Sequence, residues 1–523
     1  MPDSASNLVF DAALALPCEA VVAVIGAGTM GSGIAQVAAK AGHRVLLFDT
    51  RGGAAEEALR RVADDLARLV AKGRLDEQAA RAIGSRIACV HAIGDCVSAD
   101  LVIEAVVEDL QAKRELLLEL ERVVGERAIL ASNTSSFSIT ALAAKCRHPG
   151  RIAGFHFFNP APVLPLVEVI SGLATSQDVL RTLYATAQAW GKKPVHAKST
   201  PGFIVNRCAR PFYGEALRLL AERAGDPATI DGILREAGGF RMGPFELMDL
   251  IGNDVNFAVT QSVWQATFHD PRYRPSVIQQ DMVAGGLLGR KSGRGFYAYG
   301  GDAQPVCART ETACEAPAAI VVHGDSPAGG TLAERMRASG IEVRRAAAHA
   351  TLGDGVIAAG DAWLAQTDGR TATQRAVDGG VRDLVVYDLA LDYASCRRIA
   401  IAWADGCRRD LAGAAVGALQ KCGMQVTQVD DVAGLCVMRT VALLANEAAD
   451  AVTQGIASAG DIDAAMRDGL NYPRGPLAWA DDIGVPRVRD VIRHLAQHYG
   501  DGRYRVAPLV ARCAASGMRL GTA

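Results

Sequence analysis

Aromatic side chains make up only 5% of the 523 residues, and neither sign of charge dominates: 55 Lys and Arg face 57 Asp and Glu. A chain without a basic field lacks the electrostatic footprint for nucleic acid or an anionic membrane, so neither is expected as a partner. The twelve cysteines show no Cys-x-x-Cys pair and no Cys/His ligand spacing, which favours reduced thiols over disulfides or a metal centre. His494 and His498 lie four apart on a probable helix, but no third ligand is evident, and no metal is expected. Long apolar runs are also missing: Val21 to Ala39 is broken by Gly26, Gly28, Gly31 and Gly33 into a strand and a helix. Met1 to Leu8 carries Asp3 and no Lys or Arg, and the final Gly-Thr-Ala is no peroxisomal address, so cytoplasmic residence is the expectation.

What is present is a 50% hydrophobic, Gly-rich composition with 54 glycines, typical of α/β proteins. At roughly 150 residues per domain the length calls for three or four domains. Apolar β-branched runs at Val21 to Ile25, Arg44 to Phe48, Leu101 to Glu104, Ala128 to Ala131, Ile152 to Phe158 and Leu166 to Ile170 alternate with helical patterns. They predict a doubly wound, mostly parallel sheet over 1–199. Asp49 to Asp95 has helical periodicity and reads as an insertion projecting from that sheet. A helical domain follows over 200–300. Gln304 to Pro317 has the composition of a linker, a second Rossmann-like unit covers 301–428, and 429–523 is helical again. Gly202 to Gly252 and Gly434 to Gly484 align without a gap at an offset of 232, with 13 identities in 51 positions, so the helical domain is an internal repeat.

Chemistry concentrates in the first half. Gly26-Ala27-Gly28-Thr29-Met30-Gly31 joins a strand to a helix, and Asp49 follows at the end of the second strand. In that context the glycines allow a tight turn, backbone approach to a pyrophosphate and close helix packing. The phosphates would face the helix start at Thr29 and Met30. Asp49 would accept from ribose hydroxyls and repel a 2′-phosphate, favouring NAD over NADP, with Arg51 a small argument the other way. Ser132-Asn133-Thr134-Ser135-Ser136 ends the next strand but one. His156 in His-Phe-Phe-Asn-Pro and Glu168 in Leu-Val-Glu-Val interrupt two apolar strands, and a reversal through Pro160 to Pro165 would set them side by side. A lone His in an apolar stretch is more often a core residue, but a carboxylate partner fits a general base and its orienter.

These strings, with Pro-Gly-Phe-Ile-Val-Asn-Arg at 201–207, resemble the L-3-hydroxyacyl-CoA dehydrogenase family over about Val21 to Tyr297. The resemblance implies NAD-dependent oxidation of the 3-hydroxyl of an acyl-CoA. His156 would be the base, Glu168 its partner, and Ser135 and Asn206 the groups holding the substrate oxygen. Glu108, Lys113, Asn159 and Lys291 match family positions near the cofactor. Arg60, Arg61, Arg68 and Lys72 are candidates for the CoA end, and Arg210, Arg241 and Arg274 for a distal carboxylate. Copy two carries Met438 at the position of Asn206, and the second α/β unit lacks the glycine fingerprint, so no second active site is expected. The length resembles the family's longer bacterial form, which includes the 3-hydroxybutyryl-CoA and 3-hydroxyadipyl-CoA dehydrogenases of phenylacetate breakdown. Short members dimerise through the helical domain, so the second copy would imitate a dimer partner within one chain, with a homo-oligomer still open. The competing readings are an NAD-dependent dehydrogenase of a free hydroxy acid or sugar acid, and a noncatalytic nucleotide-binding protein.

Overall fold

In a computed structural model of the chain, residues 11–301 and 306–522 are described. Met1 to Leu8, Gln304 and Ala523, on which the leader, linker and terminal-address readings partly rest, lie outside the described residues. The chain forms two compact units, one running to Arg207 and taking in Ala451–Leu470, the other comprising Cys208–Asp450 and the segment from Asn471.

Unit 1 opens with β1 (Val21–Ile25), α1 (Thr29–Lys40), β2 (Arg44–Phe48), α2 (Ala54–Ala71), α3 (Glu77–Ser85), β3 (Ile87–Cys89), β4 (Leu101–Glu104) and α4 (Leu110–Val123). It continues with β5 (Ile129–Ser132), α5 (Ile139–Ala143), β6 (Ile152–Phe157), β7 (Leu166–Ser171), α6 (Gln177–Ala189), β8 (Lys193–Lys198) and the single turn α7 (Val205–Cys208). The sheet order is β3-β2-β1-β4-β5-β6-β7-β8. Every neighbouring pair is parallel except β6 and β7, whose antiparallel register sets His156 opposite Glu168. Central strands such as Val-Val-Ala-Val-Ile are apolar throughout because helices cover both faces. The reading of Asp49 to Asp95 as a projecting insertion needs correction. The apolar stripe of α2 buries Ala58, Val62 and Leu66 in the core beside Ile34 of α1, and the segment returns to the sheet as β3.

Unit 2 holds α8 (Arg210–Ala221), α9 (Pro227–Glu236), α10 (Pro244–Ile251), α11 (Asn253–Ala266) and α12 (Val277–Ala284). Proline in the first turn of α8, α9 and α10, and Asp226 capping α9 through Thr229 N, mark their starts. A second sheet follows: β9 (Ala319–His323), α13 (Pro327–Ala338), β10 (Glu342–Ala346), β11 (Val356–Ala359), β12 (Ala362–Gln366), α14 (Ala372–Gly379), β13 (Leu384–Tyr387), β14 (Arg398–Trp403), α15 (Arg409–Lys421) and β15 (Gln425–Gln428). Its order is β10-β9-β11-β12-β13-β14-β15, with β13 and β14 antiparallel. Residues 306–316 form no regular element, yet Glu311 N donates to Val426 O and Cys314 N to Gln420 Oε1. The helical repeat closes the chain with α16 (Val437–Thr453), α17 (Ala459–Leu470), α18 (Pro476–Ile483), α19 (Val485–Tyr499) and α20 (Pro508–Ser516). Of these, α17 and the last turn of α16 belong to unit 1.

The repeat is visible in the backbone as well as the sequence. Gly202 and Phe203 have φ of 77° and 47°, and Gly434 and Leu435, 232 positions on, have 79° and 54°. A bulky residue in the left-handed region costs roughly 1–3 kcal/mol, so the same outlier at the same place in both copies is inherited geometry. Within unit 2 the copies are joined by a buried network. Arg439 of α16 donates to Glu215 Oε2 at 2.7 Å and to Glu222 at 2.9 Å, and to the hydroxyls of Tyr499 and Tyr504 at 2.8 Å each.

Candidate active site

The glycine loop follows β1. Gly26 has φ of 102°, and a Cβ on it would stand 2.6 Å from Ala105 O; one on Gly31 would stand 1.7 Å from Gly26 O. Those two glycines are demanded by the chain's own packing. A Cβ on Gly28 would meet nothing within 4 Å, so the chain's own packing does not account for that glycine. Gly28 also begins α1 with no side-chain cap, leaving the first-turn amides at Thr29 and Met30 open to an anion. Asp49 is fixed at the carboxyl end of β2, its two oxygens accepting from Ala27 N at 2.7 Å and Arg51 N at 2.9 Å. Arg51 pairs with Glu57 at 2.9 Å on the exposed surface. This loop fits a dinucleotide.

The carboxyl edge of the same sheet carries the ionisable pair. His156 Nδ1 and Glu168 Oε2 are 2.7 Å apart, with His156 only 6% exposed and Glu168 fully buried. A carboxylate at Nδ1 fixes the tautomer with the proton there and leaves Nε2 as the accepting nitrogen. The other Glu168 oxygen accepts from Ile204 N and Val205 N at 3.0 Å each, at the start of α7. One carboxylate therefore orients the imidazole and anchors the turn that carries Asn206. Asn206 Nδ2 donates to Ser135 O at 3.4 Å, and Asn133 Oδ1 accepts from Phe157 N at 2.8 Å, tying the loop after β5 to the His156 strand.

Glu108 gathers that loop. Its Oε1 accepts from Thr134 Oγ1 at 2.7 Å, Ser135 N at 3.0 Å and Ser136 Oγ at 3.0 Å, and Lys113 stands 3.2 Å from its other oxygen. Burial works to raise this carboxyl's pKa, but Lys113 and the three hydrogen-bonding residues outweigh it and hold the group below the usual carboxylate range. A depressed folded-state pKa stabilises above the unfolded value and ceases to do so as pH falls through the folded one. Glu108→Gln is expected to lower the melting temperature at neutral pH and to leave it unchanged in acid below that depressed pKa. A series of thermal melts across pH checks this.

The structure also adds residues that the sequence reading passed over. Glu104, fully buried at the end of β4, pairs with Lys113 at 2.9 Å and accepts from Ser132 Oγ. Its signal was available: a carboxylate closing the apolar string Leu-Val-Ile-Glu. Of the cationic candidates on α2, Arg61, Arg68 and Lys72 line one cavity of about 380 Å³ with Thr29, Arg74 and Asn159, whereas Arg60 does not. Arg61 also donates to Ala27 O in the glycine loop at 2.8 Å, and Arg68 pairs with Asp65. In unit 2, Lys291 pairs with Asp254 at 2.6 Å. Arg210 and Arg274 line a smaller cavity of about 130 Å³, which Arg241 does not reach. His494 Nδ1 bonds to Asp368 O at 2.7 Å, and no metal-ligand cluster occurs among the described residues.

The second sheet shows what became of the catalytic positions. Adding 232 to 156 and 168 gives 388 and 400, and the antiparallel register of β13 and β14 sets Asp388 opposite Ala400, its N donating to Ala400 O at 2.9 Å. The counterpart of His156 is therefore Asp388 and the counterpart of Glu168 is Ala400. Asp388 is buried and accepts from Cys436 N, Val437 N and Met438 N at 2.9, 2.7 and 3.0 Å. Those amides correspond to 204–206, so Asp388 has taken over the helix-anchoring half of Glu168's work while the imidazole is gone.

A mostly parallel sheet thus carries a dinucleotide loop and a buried His–Glu pair along one carboxyl edge, the place where such sheets bind a dinucleotide. The 3-hydroxyacyl-CoA dehydrogenase NAD binding domain matches residues 21–200, and the C-terminal domain of that family matches twice, over 202–299 and 434–522. The 3-hydroxybutyryl-CoA dehydrogenase reduced Rossmann-fold domain matches 364–432. A 3-hydroxyadipyl-CoA dehydrogenase of Escherichia coli (strain K12) is 43% identical over 489 residues, covering 94% of this chain and 96% of that protein. A probable 3-hydroxybutyryl-CoA dehydrogenase of Bacillus subtilis (strain 168) is 41% identical over 278 residues, 53% of this chain and 96% of that one. The crystal structure of 3-hydroxybutyryl-CoA dehydrogenase from Escherichia coli K12 superposes with a TM-score of 0.87 at 41% identity, covering 96% of this chain and 100% of that one. The chain belongs to the 3-hydroxyacyl-CoA dehydrogenase family of NAD-dependent oxidoreductases.

Proposed function

We propose that His156 is the general base for oxidation of the 3-hydroxyl of an L-3-hydroxyacyl-CoA, with Glu168 as its orienter and Ser135 and Asn206 as the groups at the substrate oxygen. The observation that carries this reading is the buried His156–Glu168 contact of 2.7 Å. NAD⁺, when bound, supplies the hydride acceptor. Residues for it are Gly26, Gly28, Thr29, Met30, Gly31, Asp49, Glu108, Lys113, Ser135 and Asn159, with Lys291 assigned on the family motif alone. His156 Nε2 takes the hydroxyl proton, and Glu168 stabilises the imidazolium that results. Donors from Ser135 and Asn206 stabilise the negative charge that gathers on the oxygen as its proton leaves.

Arg61, Arg68, Lys72 and Arg74 supply cations for the phosphates of CoA. Lys72→Glu with Arg74→Glu is expected to raise KM for the CoA ester about tenfold while leaving kcat within about twofold, the pattern of binding lost equally from ground and transition states. Steady-state kinetics at two ionic strengths checks this. For the acyl group we take 3-hydroxyadipyl-CoA, named for the Escherichia coli relative 43% identical over 94% of the chain, with 3-hydroxybutyryl-CoA, named for a structure covering 96% of it at 41% identity, as the rival. The test is NAD⁺ reduction with 3-hydroxyadipyl-CoA beside 3-hydroxybutyryl-CoA; a kcat/KM higher for the four-carbon ester overturns that choice.

The same reading divides the chain into four modules bordered near residues 199, 300 and 428, with the second pair carrying no chemistry of its own. We read the two helical copies as an internal counterpart of a two-chain dimer, on the support of the Arg439 network. No helix among the described residues is long and apolar enough to cross a membrane. All twelve cysteines are free thiols, which is why we place the enzyme in the reducing cytoplasm.

A further inference from the structure

The second helical copy has lost its polar catalytic residue, yet twenty of its residues, Ala451–Leu470, belong to the unit that contains His156. Their contacts fall on the elements that hold the site. Gln454 Oε1 accepts from Arg207 Nη1 at 2.8 Å. Ile456 O accepts from Lys198 N at 2.8 Å, and Asp468 pairs with Lys193 at 2.9 Å, both along β8 beside the Glu168 strand. Gly469 of α17 lies so close to β7 that a Cβ there would stand 2.5 Å from Leu166 Cδ2 and 3.5 Å from Val205 Cγ2. The first copy has Ala237 at the matching position, so the glycine is particular to the helix that meets β7.

The single turn α7 is followed by Ala209, itself in the αR region. The start of α7 is held by Glu168, and the Arg207 side chain is held by Gln454. Asn206 lies between these two tethers. We propose that Gln454 is a positioning residue for Asn206, acting through Arg207, and that the duplicated domain is kept because it completes the catalytic scaffold. The repeat supplies an independent precedent. Positions 207 and 222 become 439 and 454 after the offset of 232, and Arg439 grips Glu222 at 2.9 Å just as Arg207 grips Gln454. A carboxylate therefore fits the same geometry.

The inference rests on the role proposed for Asn206, and its test separates the two. Gln454→Ala and Gln454→Glu are compared with the wild-type full chain in turnover, in melting temperature and in hydrogen exchange over residues 204–208. Loss of a hydrogen bond to a charged group is expected to lower kcat about tenfold in Gln454→Ala and to speed exchange at 204–208 by a similar factor. KM for NAD⁺ is expected to stay within about twofold, because no cofactor contact changes. Gln454→Glu is expected to restore both kcat and exchange protection. Unchanged exchange at 204–208 in Gln454→Ala, or no recovery in Gln454→Glu, overturns the inference whatever the activity does. Altered and rescued exchange with kcat unmoved leaves the tether in place and instead overturns the role of Asn206.

Discussion

Replacing His156 by alanine is expected to lower kcat by about 10²- to 10⁴-fold, the usual worth of a positioned general base, with NADH affinity nearly unchanged. The loss should be this large because the duplicated half offers no second imidazole–carboxylate pair at the matching positions among the described residues. The corresponding position of the second half is Asp388, already committed to three backbone amides at the start of α16, opposite an alanine where Glu168 would stand. The change strands Glu168 Oε2, which should cost about 1–3 kcal/mol of stability, while the helix-anchoring bonds of Glu168 to Ile204 N and Val205 N remain. Glu168→Ala is expected to behave differently. It removes the carboxylate bonded to His156 and the anchor of α7 together, so kcat and melting temperature should fall in the same variant. Kinetics beside thermal melts checks both, and a His156→Ala enzyme with ordinary turnover would remove the base from the account.

The second large effect is on stability. Arg439 is fully buried and pairs with the fully buried Glu215, with Glu222 and two tyrosine hydroxyls completing its shell. Arg439→Met keeps much of the volume but strands the carboxylates, and removing one partner of a buried pair costs about 3–5 kcal/mol. Arg218 still pairs with Glu215, which favours the lower end of that range. The pH dependence gives a sharper signature. Burial works to raise the Glu215 carboxyl, but Arg218 and Arg439 hold it below its ordinary value, so its contribution is present above the unfolded pKa and lost as pH falls through the folded one. Without Arg439 that loss should begin at a higher pH. Urea unfolding at several pH values measures both; a midpoint equal to wild type at neutral pH contradicts the network's role in joining the copies.

How much of this was legible in the sequence depends on whether a feature is local. The dinucleotide loop could be read because its three glycines, strand, helix and Asp49 fall within about thirty residues of chain, a length typical of one βα unit and its next strand. The His156–Glu168 contact could be read because a short proline-rich reversal joins the two strands. Edge strands escaped: β3 has three residues, and β10, Glu-Val-Arg-Arg-Ala, is largely exposed and carries the charges that protect a sheet edge, so neither makes an apolar run. The stripe of Ala58, Val62 and Leu66 on α2 is legible as helical periodicity, but a local pattern does not say that it packs on the core rather than projecting from it. Asp388 and Gln454 were out of reach for a different reason. Asp388 acquires meaning only when the repeat is extended back through β13 and β14, where side-chain identity has gone and only strand register survives. Gln454 meets its partner across 247 positions of chain.

The central claim is that one dinucleotide-dependent centre exists per chain and that it lies on the glycine loop of the first sheet. An equilibrium titration of NADH against the wild-type chain and Gly28→Val, with a thermal melt of each, tests it most directly, because a Cβ at Gly28 meets no protein atom within 4 Å. The account predicts one NADH per wild-type chain and none for the variant. Two per chain, or one that survives Gly28→Val, would place a working nucleotide site elsewhere and contradict it.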